Sequence, residues 1–467
     1  MSGSAGSGRA GWQQDARSDG AWRDVRVCVA GTGLSGAAVA RVLGARGAEV
    51  TTVDARLGDD TVVPAGSELV VTSPGWRPTH PLFAHAAEQG VPVWGEVELA
   101  WRLRHPAVPW LGVTGTNGKT TTVQMLASML RAAGHRAVAA GNVGLPLLDA
   151  ALDPSYDVLA VELSSYQLHW TRTVVCHAAA ILNLAPDHLD WHGSMDAYAA
   201  AKARIWADGT IAVANADDEA TRVLAQGRAD AVSFTSGEPA PGQLGVRNGT
   251  LVAHQLKPSA SGSAGFGCET FQSIIELAPV DAVRPAAPHN IANALAAAAL
   301  AMTVGVGPEA VHAGLRAFTP DAHRIASVGV VDSVSFVDDS KATNAHAAAA
   351  SLMSFAQVVW VAGGLAKGAE FDDLVVATAS RLRGVVLLGR DRAVIAGALA
   401  RHAPDVPVVD VSATDTGAMD DVVRAALGLA RPGDTVLLAP ACASMDMFTS
   451  YAERGDAFAA AVERLRR

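Results

Sequence analysis

The sequence predicts an α/β fold made of three strand-and-helix stretches, with parallel-rich sheets covered on both faces. Short apolar runs alternate along the chain with segments of helical spacing, the pattern of parallel strands joined by crossover helices. Most of these runs end in a polar or glycine-rich loop, which puts chemistry at the carboxyl ends of strands. At 467 residues, 50% of them hydrophobic, the chain can bury about two to four separate cores.

The first stretch opens with the apolar run Val25 to Ala30, which passes into Gly31-x-Gly33-x-x-Gly36 and a helical pattern. A second strand, Ala48 to Val53, ends at Asp54, and strand-like pieces follow around Leu69 to Thr72 and Val91 to Trp94. Backbone N–H groups at a glycine turn that opens a helix can hold a diphosphate, and the acid ending the next strand completes a dinucleotide fingerprint. Any tight strand-to-helix turn also favours glycine, so NAD or FAD binding and a plain turn both stand.

The second stretch starts with Pro109 to Val113 and the loop Thr114-Gly115-Thr116-Asn117-Gly118-Lys119-Thr120. Val123, Leu126, Leu130 and Ala133 follow at helical spacing. The loop amides can cradle phosphates, Lys119 can reach the terminal phosphate, and the Thr120 hydroxyl can ligate Mg²⁺. Val113 stands where the common phosphate-loop pattern has its first glycine. Val158 to Val161 ends in Glu162, placed either to take magnesium or simply to cap a strand. Ala179 to Leu184 leads to Asp187, His188, Asp190 and His192, a set that suits metal or substrate contact or a solvated loop. After the strand Thr210 to Ala214 the chain from about Gly237 to Ala287 gives no clear pattern, and helical sequence resumes at Asn290.

The third stretch begins near Asp321. Three polar loops, Asp338 to Asn344, Gly363 to Gly368 and Ala439 to Ser444, follow the strands Val334 to Val337, Val358 to Ala362 and Thr435 to Leu438, and a further strand is Val385 to Leu388. Such loops gather at one edge of their sheet. Of 36 basic residues only Lys119, Lys202, Lys257, Lys341 and Lys367 are lysine. A lysine kept in an arginine-rich chain is a candidate for work needing a flexible ammonium or a neutral amine. All but Lys257 fall in or beside candidate sites. Lys202 lies in an alanine-rich helical segment, where a partly buried amine of lowered pKa can react with CO₂ to become a carbamate.

A formal net charge of −10 argues against a nucleic-acid protein with a dominant basic face and against a polybasic membrane anchor. There is no apolar run long enough to span a bilayer, and the first 20 residues carry no signal-peptide core. Cys28, Cys176, Cys268 and Cys442 lie far apart with no paired spacing, as in a reduced, cytoplasmic protein.

Together, the phosphate loop through Thr122, Gly141 to Gly144, Glu162 to Leu168, Asp187-His188, Pro288 to Ala294, Ala322 to Arg324 and the three C-terminal loops resemble the Mur ligases. These are the ATP-dependent amide ligases that build the peptide stem of the bacterial cell wall. Four segments, ELSSYQL, DDSKATN, GGLAKGAEF and APACAS, look like the branch that joins D-glutamate to UDP-N-acetylmuramoyl-L-alanine.

Residues 1–22, rich in Gly, Ser and Ala, read as a disordered tail outside the resemblance, which itself implies a Rossmann-like UDP-sugar domain over 23–108, a central ATPase over 109–320 and a C-terminal amino-acid-binding α/β domain over 321–467. It assigns the ATP contacts to Gly115, Thr116, Asn117, Gly118, Lys119, Thr120, Thr121, Asn293, Arg324 and Asp339. The UDP-sugar falls to Leu34, Ser35, Asp54, Arg56, Ser73, Asn142, Ser164 and His188. Two magnesium ions fall to Thr120, Glu162, His188 and Lys202, the last as its carbamate. D-Glutamate falls to Thr343, Lys367, Ser444 and Tyr451, where the best-known pattern has Phe at the last position. The catalytic set is Lys119, Glu162, His188, Lys202, Lys341 and Lys367, in a monomer that takes three small-molecule substrates, with no nucleic acid and no membrane insertion.

Overall fold

A computed structural model describes residues 16–58, 60–228, 231–254, 274–413, 415 and 417–466. Lys257, Cys268 and most of the expected tail lie outside them. Where the tail is described it is ordered earlier than expected. Asp19–Trp22 form a turn of 3₁₀ helix, and the Trp22 side chain is fully buried with its Nε1–H donating to Ala16 O at 2.7 Å. Burial of one large aromatic outweighs the local preference of a Gly- and Ser-rich segment for disorder.

The chain divides into two compact units, Met1–Val283 with Ile291–Phe318, and Arg284–Asn290 with Thr319–Arg467. The first unit holds two sheets. One is all parallel, with β1 (Arg26–Ala30), β2 (Glu49–Val53), β3 (Leu69–Thr72) and β4 (Val93–Gly95) in the order β2-β1-β3-β4. The other contains β5 (Trp110–Thr114), β6 (Ala137–Gly141), β7 (Val158–Glu162), β8 (Ala178–Ile181), β9 (Ile211–Asn215), β10 (Val232–Phe234), β11 (Gln243–Arg247), β12 (Thr250–His254) and β13 (Ile274–Pro279). Its order is β13-β12-β11-β10-β9-β8-β5-β7-β6. The pairs from β6 to β11 are parallel, and β12 and β13 add antiparallel strands at one edge.

The hairpin β11–β12 occupies part of the stretch whose sequence shows no clear pattern. Its turn is Asn248-Gly249, both with positive φ, the type of pair that matches the twist of two flanking strands. In the sheet of β5 the chain leaves toward β6 on one side and returns to β8 on the other, so the carboxyl end of β5 is a topological switch point.

The helix Glu96–Leu103 follows directly on β4 and ties the two sheets together with buried carboxylates. Glu96 accepts from Leu148 N at 2.9 Å, and Glu98 accepts from Arg172 N, Thr173 N and Thr173 Oγ1.

The second unit has one sheet of β14 (Ala326–Val331), β15 (Val334–Asp338), β16 (Val358–Gly363), β17 (Leu382–Leu388), β18 (Val408–Asp410) and β19 (Thr435–Leu438), ordered β14-β15-β19-β16-β17-β18. Only the β14–β15 hairpin is antiparallel. Strands β16 and β19 are buried throughout, as central parallel strands packed on both faces are.

Candidate active site

In the first unit the phosphate loop leaves β5 and enters the helix Lys119–Ala132. Gly115 (φ +153°) and Gly118 (φ +84°) take backbone conformations that side chains rarely adopt, and a Cβ on Gly118 would collide with Asn293 Oδ1. The loop is held open from the neighbouring strand. Asn117 N donates to Asn183 Oδ1 at 2.9 Å, Thr116 N donates to Asn183 O at 3.0 Å, and Thr116 Oγ1 lies 3.0 Å from Tyr198 OH. This is why β8 stops at Ile181, three residues short of the apolar run: the chain beyond it turns to brace the loop. Asn183 and Tyr198 are supporting residues that sequence reasoning missed.

Three chemically active side chains converge on this loop. Lys119 Nζ donates to Gly115 O (3.0 Å) and Thr116 O (2.9 Å). Lys202 Nζ, on the helix Met195–Ala203, donates to the same Gly115 O at 2.8 Å and to Thr114 Oγ1 at 3.3 Å. Lys202 is only 2% exposed, and burial, with Lys119 beside it, holds its pKa well below the ordinary lysine value. Glu162 is the last residue of β7, paired in register with Gly141 on one side and Val113 on the other. Its Oε1 accepts from Asn142 Nδ2 at 2.8 Å, while Oε2 is buried with no hydrogen-bond partner. A buried carboxylate oxygen left open beside a phosphate cradle suits a cation.

Among the described residues no group of three His, Cys, Asp or Glu side chains gathers to hold a metal alone. That fits magnesium, which takes one or two protein carboxylates and completes its shell with phosphate and water.

His188 follows β8 in a left-handed conformation (φ 53°), with Asp187 Oδ2 3.6 Å from its Nε2. Burial lowers its pKa from the ordinary histidine value. Thr120 begins the helix behind Lys119, Thr121 is buried, and Ser164 caps the helix Ser165–His169 through Gln167 N.

At the carboxyl end of β1, Gly31 (φ +110°) and Gly36 lie so close to Ser73 and to each other that a Cβ on either would collide. Ser73 Oγ is buried without a partner. Leu34 is 84% exposed at the start of the helix Leu34–Ala45, with Ser35 beside it. Asp54 accepts from Thr32 N at 2.9 Å and Thr32 Oγ1 at 2.7 Å, and its two oxygens also accept from Arg56. The Arg56 guanidinium and Thr32 hold its carboxyl well below the usual carboxylate range.

In the second unit the three polar loops meet at one sheet edge, as their place at the carboxyl ends of three strands predicts. Gly363 N donates to Pro440 O, Ala441 N to Ala342 O, and Leu365 and Ala443 exchange backbone hydrogen bonds. Lys341 Nζ lies 3.8 Å from the centroid of the Tyr451 ring. Ser444 is buried, Thr343 half-buried, and Lys367 exposed in a left-handed turn (φ 52°).

Asp339 is turned inward, accepting from Ser351 Oγ and Ile325 N, and burial pushes its pKa up to about 6. Arg324 lies near it, 3.8 Å from Asp321. Sequence reasoning missed Arg454, which is 1% exposed and donates to Ser340 Oγ, Ser340 O and Cys442 O, pinning two of the loops together. It also missed the His323–Asp338 pair at 2.6 Å. An arginine inside an ordinary helical pattern carries no signal of such burial.

The fold and the phosphate-loop site define a ligase of the Mur type. Two family models match, the Mur ligase middle domain over residues 113–301 and the Mur ligase glutamate ligase domain over residues 323–442. The chain belongs to the Mur ligase family, among the UDP-N-acetylmuramoylalanine–D-glutamate ligases. It is 58% identical to the protein of that name from Streptomyces coelicolor, over 94% of this chain and 98% of the relative. With the namesake from Thermobifida fusca it shares 56%, over 95% and 99%. The solved UDP-N-acetylmuramate–alanine ligase MurC of Thermotoga maritima shares the fold, with a TM-score of 0.56 at 19% identity over 94% of this chain and 99% of that one.

Proposed function

We propose that this chain joins D-glutamate to UDP-N-acetylmuramoyl-L-alanine at the expense of ATP, in the synthesis of peptidoglycan precursors. The observation that carries the reading is near-full-length identity of 58% with the Streptomyces coelicolor ligase. The substrate carboxylate is a poor acyl donor. Its oxygen attacks the γ-phosphorus of ATP, ADP leaves, and an acyl phosphate remains. The neutral amine of D-glutamate then attacks the acyl carbon, phosphate leaves, and the nitrogen loses a proton as the amide forms.

Phosphoryl transfer needs positioning and charge neutralisation, which suits the loop amides and Lys119. Thr120, Glu162, His188 and a carbamate on Lys202 would hold two magnesium ions, and the open Glu162 Oε2 supports this. When bound, magnesium neutralises charge on the phosphates. The depressed pKa of Lys202 supports an amine free to take up CO₂.

The glycine turn of β1 with Leu34, Ser35, Asp54, Arg56 and Ser73 is read as the seat of the UDP group, with Asn142 and Ser164 nearer the sugar. Asn293, Arg324 and Asp339 serve ATP, and Lys341, Thr343, Lys367, Ser444 and Tyr451 the amino acid. The reading places the enzyme in the cytoplasm as a monomer, with domains bounded near 23–108, 109–320 and 321–467. Among the described residues no helix is long and apolar enough to cross a membrane.

The test is phosphate release from ATP and Mg²⁺ with UDP-N-acetylmuramoyl-L-alanine, comparing D-glutamate with L-glutamate, L-alanine, L-lysine and meso-diaminopimelate. Release with D-glutamate alone, and the new amide by mass spectrometry, is the expected result. Release with another amino acid overturns the specificity.

A further inference from the structure

The segment that carries His188 is tied by backbone bonds from Trp191 N and His192 N to His188 O, by the Arg77–Asp190 ion pair and by the Trp191 ring, 4.7 Å from that of Tyr166. His188 sits in a left-handed conformation, its backbone N–H donates to the adjacent Asp187, and its ring lies against the Tyr166 ring at 4.8 Å between centroids. Tyr166 also packs on His192, whose ring lies 5.7 Å away and nearly parallel, at 18°. His192 Nε2 in turn lies 3.0 Å from Ser165 Oγ, a hydrogen bond between the loop after β8 and the helix that follows Glu162 by three residues. Ser165 is 2% exposed, so this bond is sheltered from water. The His192 ring also meets that of Tyr198, edge to face, at 5.3 Å between centroids. Tyr198 is the residue whose hydroxyl reaches Thr116 of the phosphate loop.

One imidazole therefore joins the element bearing Glu162, the element bearing His188 and the phosphate loop. Nothing in the reaction proposed above uses it. We propose that His192 is a positioning residue: its bond to Ser165 and its stack on Tyr166 fix where His188 stands relative to Glu162. The inference rests on the reading of Glu162 and His188 as residues of the reacting centre. Outer partners of this kind orient the groups that touch the reacting atoms, and their loss commonly costs about 10- to 100-fold in activity or metal affinity.

The full chain is tested as His192→Phe, which keeps the ring face and loses the hydrogen bond. Ser165→Ala removes the same bond from its other end, and His192→Gln restores a polar group near the position of Nε2. The measurements are kcat, KM for each substrate, melting temperature, and Mn²⁺ broadening of the His188 Cε1–H resonance in the presence of ATP. The expected result is about tenfold lower kcat for His192→Phe and Ser165→Ala, with D-glutamate KM within about twofold of the parent. Broadening at His188 weakens in both, and His192→Gln recovers part of each loss. Wild-type kcat and broadening in His192→Phe and Ser165→Ala overturn the inference, as does a loss that only follows melting temperature and raises every KM alike. His188→Ala separates the two levels. If it is inactive while His192→Phe is normal, this inference alone fails; if it is fully active, the reading of the reacting centre fails with it.

Discussion

Glu162→Gln trades a functional group against stability in a direction that the structure fixes. The carboxylate is 1% exposed, one oxygen is satisfied by Asn142, and the other has no partner. Leaving a buried polar group unsatisfied costs about 1–3 kcal/mol, and more when it is charged. Glutamine keeps the acceptor for Asn142 and replaces the open anionic oxygen with a neutral amide, which is itself unpartnered, so only part of the cost is recovered. The expected gain is about 1 kcal/mol, or roughly 1–3 °C in the melting temperature of a unit this large. Mg²⁺ and ATP at about 100 times their dissociation constant stabilise the parent by about 2.7 kcal/mol. The variant loses most of that increment if Glu162 faces the cation. Thermal melts with and without MgATP give both quantities, and a phosphate-release assay beside them reports turnover. A ligand-free melting temperature several degrees below the parent refutes the account of the open oxygen. An undiminished rise with MgATP refutes its role in holding the cation.

Three other perturbations test separate parts of the reasoning. Burial pushes Glu96 up to about 7, helped by Asp149 and opposed by the Leu148 N–H, so the folded state keeps a proton that the unfolded state has released. Stability is full below the ordinary carboxylate pKa of about 4 and falls as pH rises toward 7. Glu96→Gln therefore matches the parent in acid and gains on it across that window in denaturant midpoints, and a constant offset at all pH values contradicts the reasoning. Gly118→Ala combines left-handed strain of about 1–2 kcal/mol with a collision at Asn293, so ATP affinity measured by calorimetry drops about tenfold or more. Lys202→Ala loses activity, and added short-chain carboxylates restore part of it; normal turnover in the variant removes Lys202 from the metal site.

What could be read in the sequence followed the physical rules that are local. Strands ending in Gly115 to Gly118, in Glu162 and in the three loops of the second unit were visible because apolar runs, glycines and polar residues occur in one short window. The sequence reading of 237–287 gave no pattern, although Asn248-Gly249 was a hairpin signal between two apolar segments. The glycine- and serine-rich composition around it masked that signal. Arg454, Asn183, Tyr198 and the His323–Asp338 pair were not visible at all. Their importance comes from where the fold carries a side chain: Arg454 reaches Ser340 across 114 residues and Tyr198 reaches Thr116 across 82. No window of sequence contains such a contact. The lysine census did better, since scarcity is a property of the whole chain. Lys119 and Lys202, 83 residues apart in sequence, share one carbonyl oxygen.

The glycine fingerprint of the first stretch left a dinucleotide and a plain turn open, and the size of the sheet bears on the choice. A dinucleotide fold needs two mononucleotide-binding halves of three strands each, one on either side of the switch point. Here β1 has only β2 on one side and β3 and β4 on the other, a sheet of four. A plain turn leaves two features unused, an exposed Leu34 at the mouth of the helix and a buried, unpartnered Ser73 Oγ against Gly31. One diphosphate on the helix N-terminus would satisfy the open hydroxyl and use the bare glycines together. These open groups support the proposed reading of the turn as the seat of a UDP-sugar.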